Sequence, residues 1–166
     1  MSETTWKSVE PLLDSWRTKA RTNQHAHYES SKHCGRLNLR LGVPAIILSA
    51  FVGTGVFATL QEEVDPRARV AVGVVSVVVA VLTSLQTFLR FAERAARHRK
   101  AANGYASVRR EIETLLAVGA GARGEPTTIA EGIRNRLDAL ADEAPEISVR
   151  GWASSAHARD TVAATV

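Results

Sequence analysis

The residues richest in chemistry in this 166-residue chain are His25, His27, His33 and Cys34, gathered within one short stretch. Imidazole and thiolate groups bind zinc when their spacing brings them to one point. His25 and His27 are two apart, which on a helix places them on different faces. Adding His33 and Cys34 gives no standard zinc spacing, so no metal site is expected. Gly119, Gly121 and Gly124 satisfy G-x-G-x-x-G. That motif cradles a pyrophosphate only when it follows a strand and opens a helix. Here it follows a helical pattern and reads as a glycine-rich linker. Glu111 and Glu113 lie on a charged, solvated face. No H-E-x-x-H, G-x-S-x-G or P-loop motif occurs. The residues give no reason to expect an enzyme, and no cofactor is implied.

The elements around these residues say more. Residues Leu41–Leu60 and Val70–Leu89 contain no charged side chain, although the chain carries 21 Lys/Arg and 17 Asp/Glu. About 20 apolar residues in a helix span a hydrocarbon core of about 30 Å. A buried helix in a soluble protein would need apolar partners on every side, and the remaining segments are amphipathic on one face only. The two windows are therefore expected to cross a membrane. The Val-rich second window has high β-propensity, but a lone strand in lipid would leave its backbone groups unsatisfied. The windows are joined by QEEVDPRAR, which holds Pro66 and fits a tight antiparallel hairpin. The first window begins forty residues into the chain behind polar sequence, which excludes a secretory signal peptide. The one cysteine excludes a disulfide-stapled secreted scaffold.

Net charge is +4, but its placement decides its meaning. Residues 90–110 carry seven basic side chains against one Glu93, and residues 1–40 carry seven against four acids. Acidic Glu62, Glu63 and Asp65 sit in the connecting loop. Lys and Arg mark cytoplasmic flanks, so both termini are expected in the cytosol. A nucleic-acid arm would need interleaved aromatics or a recognisable module, and neither is present.

Small residues recur within the windows at Ala45, Ser49 and Gly53, and at Gly73, Ser76, Ala80 and Ser84. Such ridges let helix backbones approach closely in lipid. They are expected to pack the hairpin first, with contacts between copies as the second use. Toward its inner end the second window turns polar. Thr83, Gln86, Thr87 and Arg90 share one face by their spacing of three and four, and they are the candidate lining of a pore. The alternative is that the hydroxyls bond back to their own helix. Arg90, Arg94 and Arg97 at the mouth would favour anions.

Outside the windows, residues 11–40 read as a helix with Pro11 in its first turn and Leu12, Leu13, Trp16 and Ala20 as its stripe. Around Gly42–Pro44 the membrane helix must start or bend. The second helix is expected to continue unbroken from Val70 to Val118. There Phe91, His98, Tyr105 and Ile112, interleaved with Ala95, Ala102, Arg109 and Leu116, form a heptad seam that could join copies of the chain. After the glycine linker, Ile129, Ile133, Leu137 and Leu140 mark a helix over about 127–141 capped by Thr127 or Thr128. The expected organisation is one all-α domain over residues 1–150, folding the last helix back on the long one. A disordered tail over residues 151–166 would follow, with Trp152 as a possible anchor.

The runs LGVPAIILSAFVGTGVFATL, LTSLQTFLRFAERAARHRKAANGYASVRREIETLL and IRNRLDALADEAPEI resemble a SLATT domain over about residues 10–150. The resemblance implies a small bacterial protein with two membrane helices and a cytosolic helical extension. It further implies an effector in conflict systems that perforates or depolarises the inner membrane, triggered by a nucleotide-generating or sensor partner encoded nearby. The expected partners are the lipid bilayer, further copies of the chain and that sensor, with no nucleic acid. A rival expectation is a membrane-anchored scaffold that recruits a partner through its cytosolic helices. A transporter subunit is disfavoured, because neither window holds a charge at its middle.

Overall fold

The computed structural model describes residues 2–58 and 65–147, and among them every regular element is a helix, without strands. Helix α1 spans Ser2–Ala58, α2 Pro66–Leu89, α3 Phe91–Ala117 and α4 Pro126–Glu143. A 3-10 turn at Ala120–Ala122 stands between α3 and α4. The all-α expectation holds. The acidic loop residues Glu62 and Glu63, and the tail with Trp152, lie outside the described residues. The described residues divide into two compact units, one built from stretches up to Lys32 and from Arg94 onward, the other lying between His33 and Glu93.

The first unit is a helical bundle. Trp6, Val9, Leu13, Trp16 and Ala20 follow one another on α1 at steps of three and four, the period that keeps a seam on one face of a helix. Trp6, Val9 and Leu13 form the core with Val108 and Ile112 of α3 and Ile133 of α4. That seam explains why α1 begins at Ser2 rather than at Pro11. Its first two turns bury a tryptophan and a valine, and Leu12, expected in the stripe, is exposed. From α4, Ile129, Leu137 and Leu140 pack against the same core. Leu140 comes so close to α3 that a Cβ on Gly104 would stand 2.4 Å from its Cδ2. Gly104 is thus the place where α4 lies down on α3.

The heptad pattern on α3 is real, but its partner is the chain itself. His98, Tyr105 and Ile112 are buried in the bundle, and Phe91, in the second unit, is half-buried. His98, Tyr105 and Ile112 therefore pack within the chain, where a seam between copies is the expectation from sequence.

Helix α2 ends at Leu89, and Arg90 adopts a left-handed conformation (φ 47, ψ 40) before α3 begins at Phe91. The Arg90 N–H still donates to the Gln86 carbonyl at 3.2 Å, which closes the last turn. A side chain in this region costs about 1–2 kcal/mol. Glycine does not pay it, but it loses more entropy on folding. Arg90→Gly should therefore raise unfolding stability by up to about 1 kcal/mol, measured by thermal melting in detergent. By contrast α1 runs through Gly42–Pro44 without interruption, so no helix starts there.

Helix α4 is capped by Glu125, ahead of the two threonines expected in that role. Its carboxylate accepts from the Thr128 backbone N–H at 2.9 Å and from the hydroxyls of Thr127 and Thr128. These bonds, the Thr127 hydroxyl first, hold the Glu125 carboxyl below the usual range. Gly124, at φ +77, supplies the turn that aims it. Glu125→Ala should destabilise the bundle, lowering its midpoint in a denaturant titration.

Candidate membrane hairpin

The second unit is a two-helix hairpin. Along α1 the less exposed positions are Asn38, Leu41, Gly42, Ala45, Leu48, Val52 and Gly55, and along α2 they are Val72, Val75, Ser76, Val79, Leu82, Gln86 and Leu89. With the flanking Gly42 and Ser76 set aside, both sets advance by alternating steps of three and four. That average of 3.5 residues keeps the two seams facing each other over several turns. Glycines sit where contact is tightest. A Cβ on Gly42 would lie 2.9 Å from Gln86 Nε2, and one on Gly55 would lie 3.1 Å from Val72 Cγ2. At the Gly42 end the seam closes with a polar bond, Gln86 Nε2 donating to Asn38 Oδ1 at 3.3 Å. At the loop end Asp65 caps α2 by accepting from the Arg67 N–H at 2.9 Å, with Pro66 at the first position.

This geometry reassigns the small-residue ridge. Ala45 is buried in the seam, and Ser76 is half-buried with its hydroxyl donating to the Val72 carbonyl at 2.8 Å. Ser49, Gly53, Gly73, Ala80 and Ser84 are exposed on the hairpin. The physical reason is period. Steps of four turn 400°, so a four-residue ridge drifts about 40° per step away from a partner helix and leaves the seam. Ala80 and Ser84 lie in an apolar groove on α2 with Val77, Val81, Leu85 and Phe88.

The polar inner end of α2 also differs from a simple pore face. Thr83 and Thr87 are exposed, and their hydroxyls donate to the carbonyls of Val79 and Thr83 on their own helix. Gln86 turns into the hairpin seam toward Asn38. Arg90 is exposed and pairs with Glu93 at 3.3 Å. The four residues therefore do not present one uniform face.

Large apolar side chains cover the rest of the hairpin surface. Ile46, Ile47 and Phe51 of α1 and Val70, Val74, Val77, Val81 and Phe88 of α2 are all exposed, with Phe88 at 82%. Water-soluble monomers rarely show contiguous apolar patches beyond a few hundred Å². Two of the chain's helical stretches are long and apolar enough to cross a membrane, and the apolar window of the second has no buried residue. Hence the hairpin presents large apolar side chains outward around a well-packed seam, and its exposed Thr83 and Thr87 hydroxyls are satisfied by their own helix.

These features define a two-span helical membrane protein. The chain belongs to the SMODS and SLOG-associating 2TM effector domain family 4 (SLATT), whose model matches residues 16–150. The match covers the hairpin and most of the bundle. No curated protein and no solved structure matches the chain. Among the described residues no group of three or more metal-ligating side chains comes together, and His25 and His33 stand apart from the buried His27.

Sequence reasoning missed one residue that organises the bundle. Arg123, inside the glycine-rich linker, has a side chain only 7% exposed. Its guanidinium pairs with Glu10 of α1 and donates to the carbonyls of Leu116, at 3.1 Å, and Val118. It also lies over the Trp6 ring, 5.0 Å from the centroid. One planar cation thus caps the end of α3 and ties it to α1. The signal available was an arginine among glycines, which points to a fixed turn only once its partners are known.

Proposed function

We propose that this protein is an oligomeric membrane effector that perforates or depolarises the bacterial inner membrane in antiviral or conflict defence. Membership of a 2TM effector family supports the class of activity. The observation that carries the oligomer is the outward position of Ser49, Gly53, Ala80 and Ser84. Small residues left outside the hairpin seam permit close approach by a second hairpin in lipid, where packing rather than the hydrophobic effect drives association. Assembly proceeds through these ridges, since the bundle seam on α3 is already filled. Residues 1–150 act as one two-span domain with both termini in the cytosol, followed by a tail over residues 151–166. The family's association with SMODS and SLOG supports a trigger supplied by a nucleotide-signalling partner.

Induced expression with simultaneous recording of membrane potential tests this reading. Depolarisation should precede growth arrest. Arrest at full membrane potential would overturn it and favour a scaffold acting through the bundle. Replacing Ala80 and Ser84 together by leucine should abolish depolarisation while the protein still reaches the membrane, as fractionation would show.

A further inference from the structure

The bundle contains a buried pair that neither the hairpin nor the proposed activity uses. His27 of α1 and His98 of α3 are 2% and 7% exposed. Their Nδ1 atoms stand 3.1 Å apart. Two imidazole nitrogens at that distance share one proton, one ring donating and the other accepting. Tyr105 stacks on His27 with centroids 5.7 Å apart, and its hydroxyl bonds with Asn23 of α1. One turn further along, Ser31 donates to the Ala95 carbonyl at 2.9 Å. The α1–α3 contact is therefore polar here, whereas around Leu13 and Ile112 it is apolar.

We propose that the His27–His98 pair is a proton-operated latch that holds α1 against α3 when neutral and releases it on acidification. Once both rings are protonated, both Nδ1 atoms are donors, so the shared hydrogen bond is lost and two positive rings face each other. The charged and titratable neighbours do not relieve this. On α3, Arg94 adds positive charge beside His98, and Tyr105 presents a neutral ring. On α1, His25 is exposed, and Glu29 is engaged with Lys32 at 2.9 Å. Burial first, then His98, lowers the His27 pKa to about 4, and burial and Arg94 lower that of His98.

The sign follows from which state binds the proton. An opened bundle exposes both rings, which then titrate near 6.5. Above that value neither state is protonated and the latch is at full strength. Between 6.5 and about 4 the open state takes up protons that the closed state refuses. Opening is then favoured about tenfold per pH unit through His27, and further by His98 wherever it too is still neutral. The device works at mild acidity because the open state sets its threshold. It concerns the bundle alone and stands whether or not the hairpin perforates a membrane.

Hydrogen exchange of the full chain in lipid nanodiscs provides the test. Protection of residues 23–31 and 95–106 is followed from pH 7.5 to 5.0 after correction for intrinsic exchange. The opening equilibrium should be level above pH 6.5 and rise at least about tenfold per unit below it. The His27→Leu/His98→Leu double variant should be level throughout. His98→Asn, which keeps a hydrogen-bonding partner for His27, should retain about half of the logarithmic slope should the double variant not fold. In parallel, the imidazole ¹⁵N shifts of His27 should report a neutral ring at pH 5.5. A level profile for the unaltered chain, an undiminished slope in the variants, or a His27 ring titrating near 6.5 would each overturn the proposal.

Discussion

Replacing Arg123 by alanine should destabilise the helical bundle by about 2–4 kcal/mol, read from denaturant unfolding in detergent. The substitution removes the Glu10 pair and strips the Leu116 and Val118 carbonyls of their donors at the end of α3. It also leaves a gap over the Trp6 ring. The lower part of the range allows for Glu10, whose side chain is 42% exposed and regains water when its partner is lost. Arg123→Lys separates charge from geometry. Lysine keeps the cation but lacks the planar fork, so it should recover less than half of the loss.

Val77→Arg should cost about 2.5–3.5 kcal/mol in membrane insertion, because the position is near the centre of α2. The same change would be almost silent in water. Val77 is 64% exposed, and substitutions at exposed helix positions change stability by about 0.5 kcal/mol or less. The contrast makes the solvent around the hairpin measurable from one residue. A glycosylation-reporter insertion assay on residues 66–89 should show the loss, with Val77→Leu as the unaffected control.

Helix content and the two apolar windows were legible because both are written in local composition. The absence of charge from Leu41–Leu60 and Val70–Leu89 needs no knowledge of partners. The α3 heptads were legible too, but periodicity reports that a face is covered and not by what. Phe91, His98, Tyr105 and Ile112 carry the same pattern whether α1 or another chain fills it. The small-residue ridge misled for a related reason. Residue type suggested close packing, while only the exact step of three and four identifies the inward face of a hairpin. Arg90 carries no local signal of a break, since neither glycine nor proline stands there. Arg123 was invisible because its meaning depends on Glu10, 113 positions away.

The central claim is that acyl chains surround the hairpin, and nitroxide accessibility along α2 tests it most directly. Spin labels placed singly at positions 74, 77, 81 and 88, in a Cys34→Ser background reconstituted in lipid, are exposed in turn to oxygen and to a water-soluble nickel chelate. Labels at 74, 77 and 81 should collide freely with oxygen and hardly with nickel, and the label at 88 should show rising nickel access toward the interface. Strong nickel access at all four positions would place the hairpin in water and contradict the account.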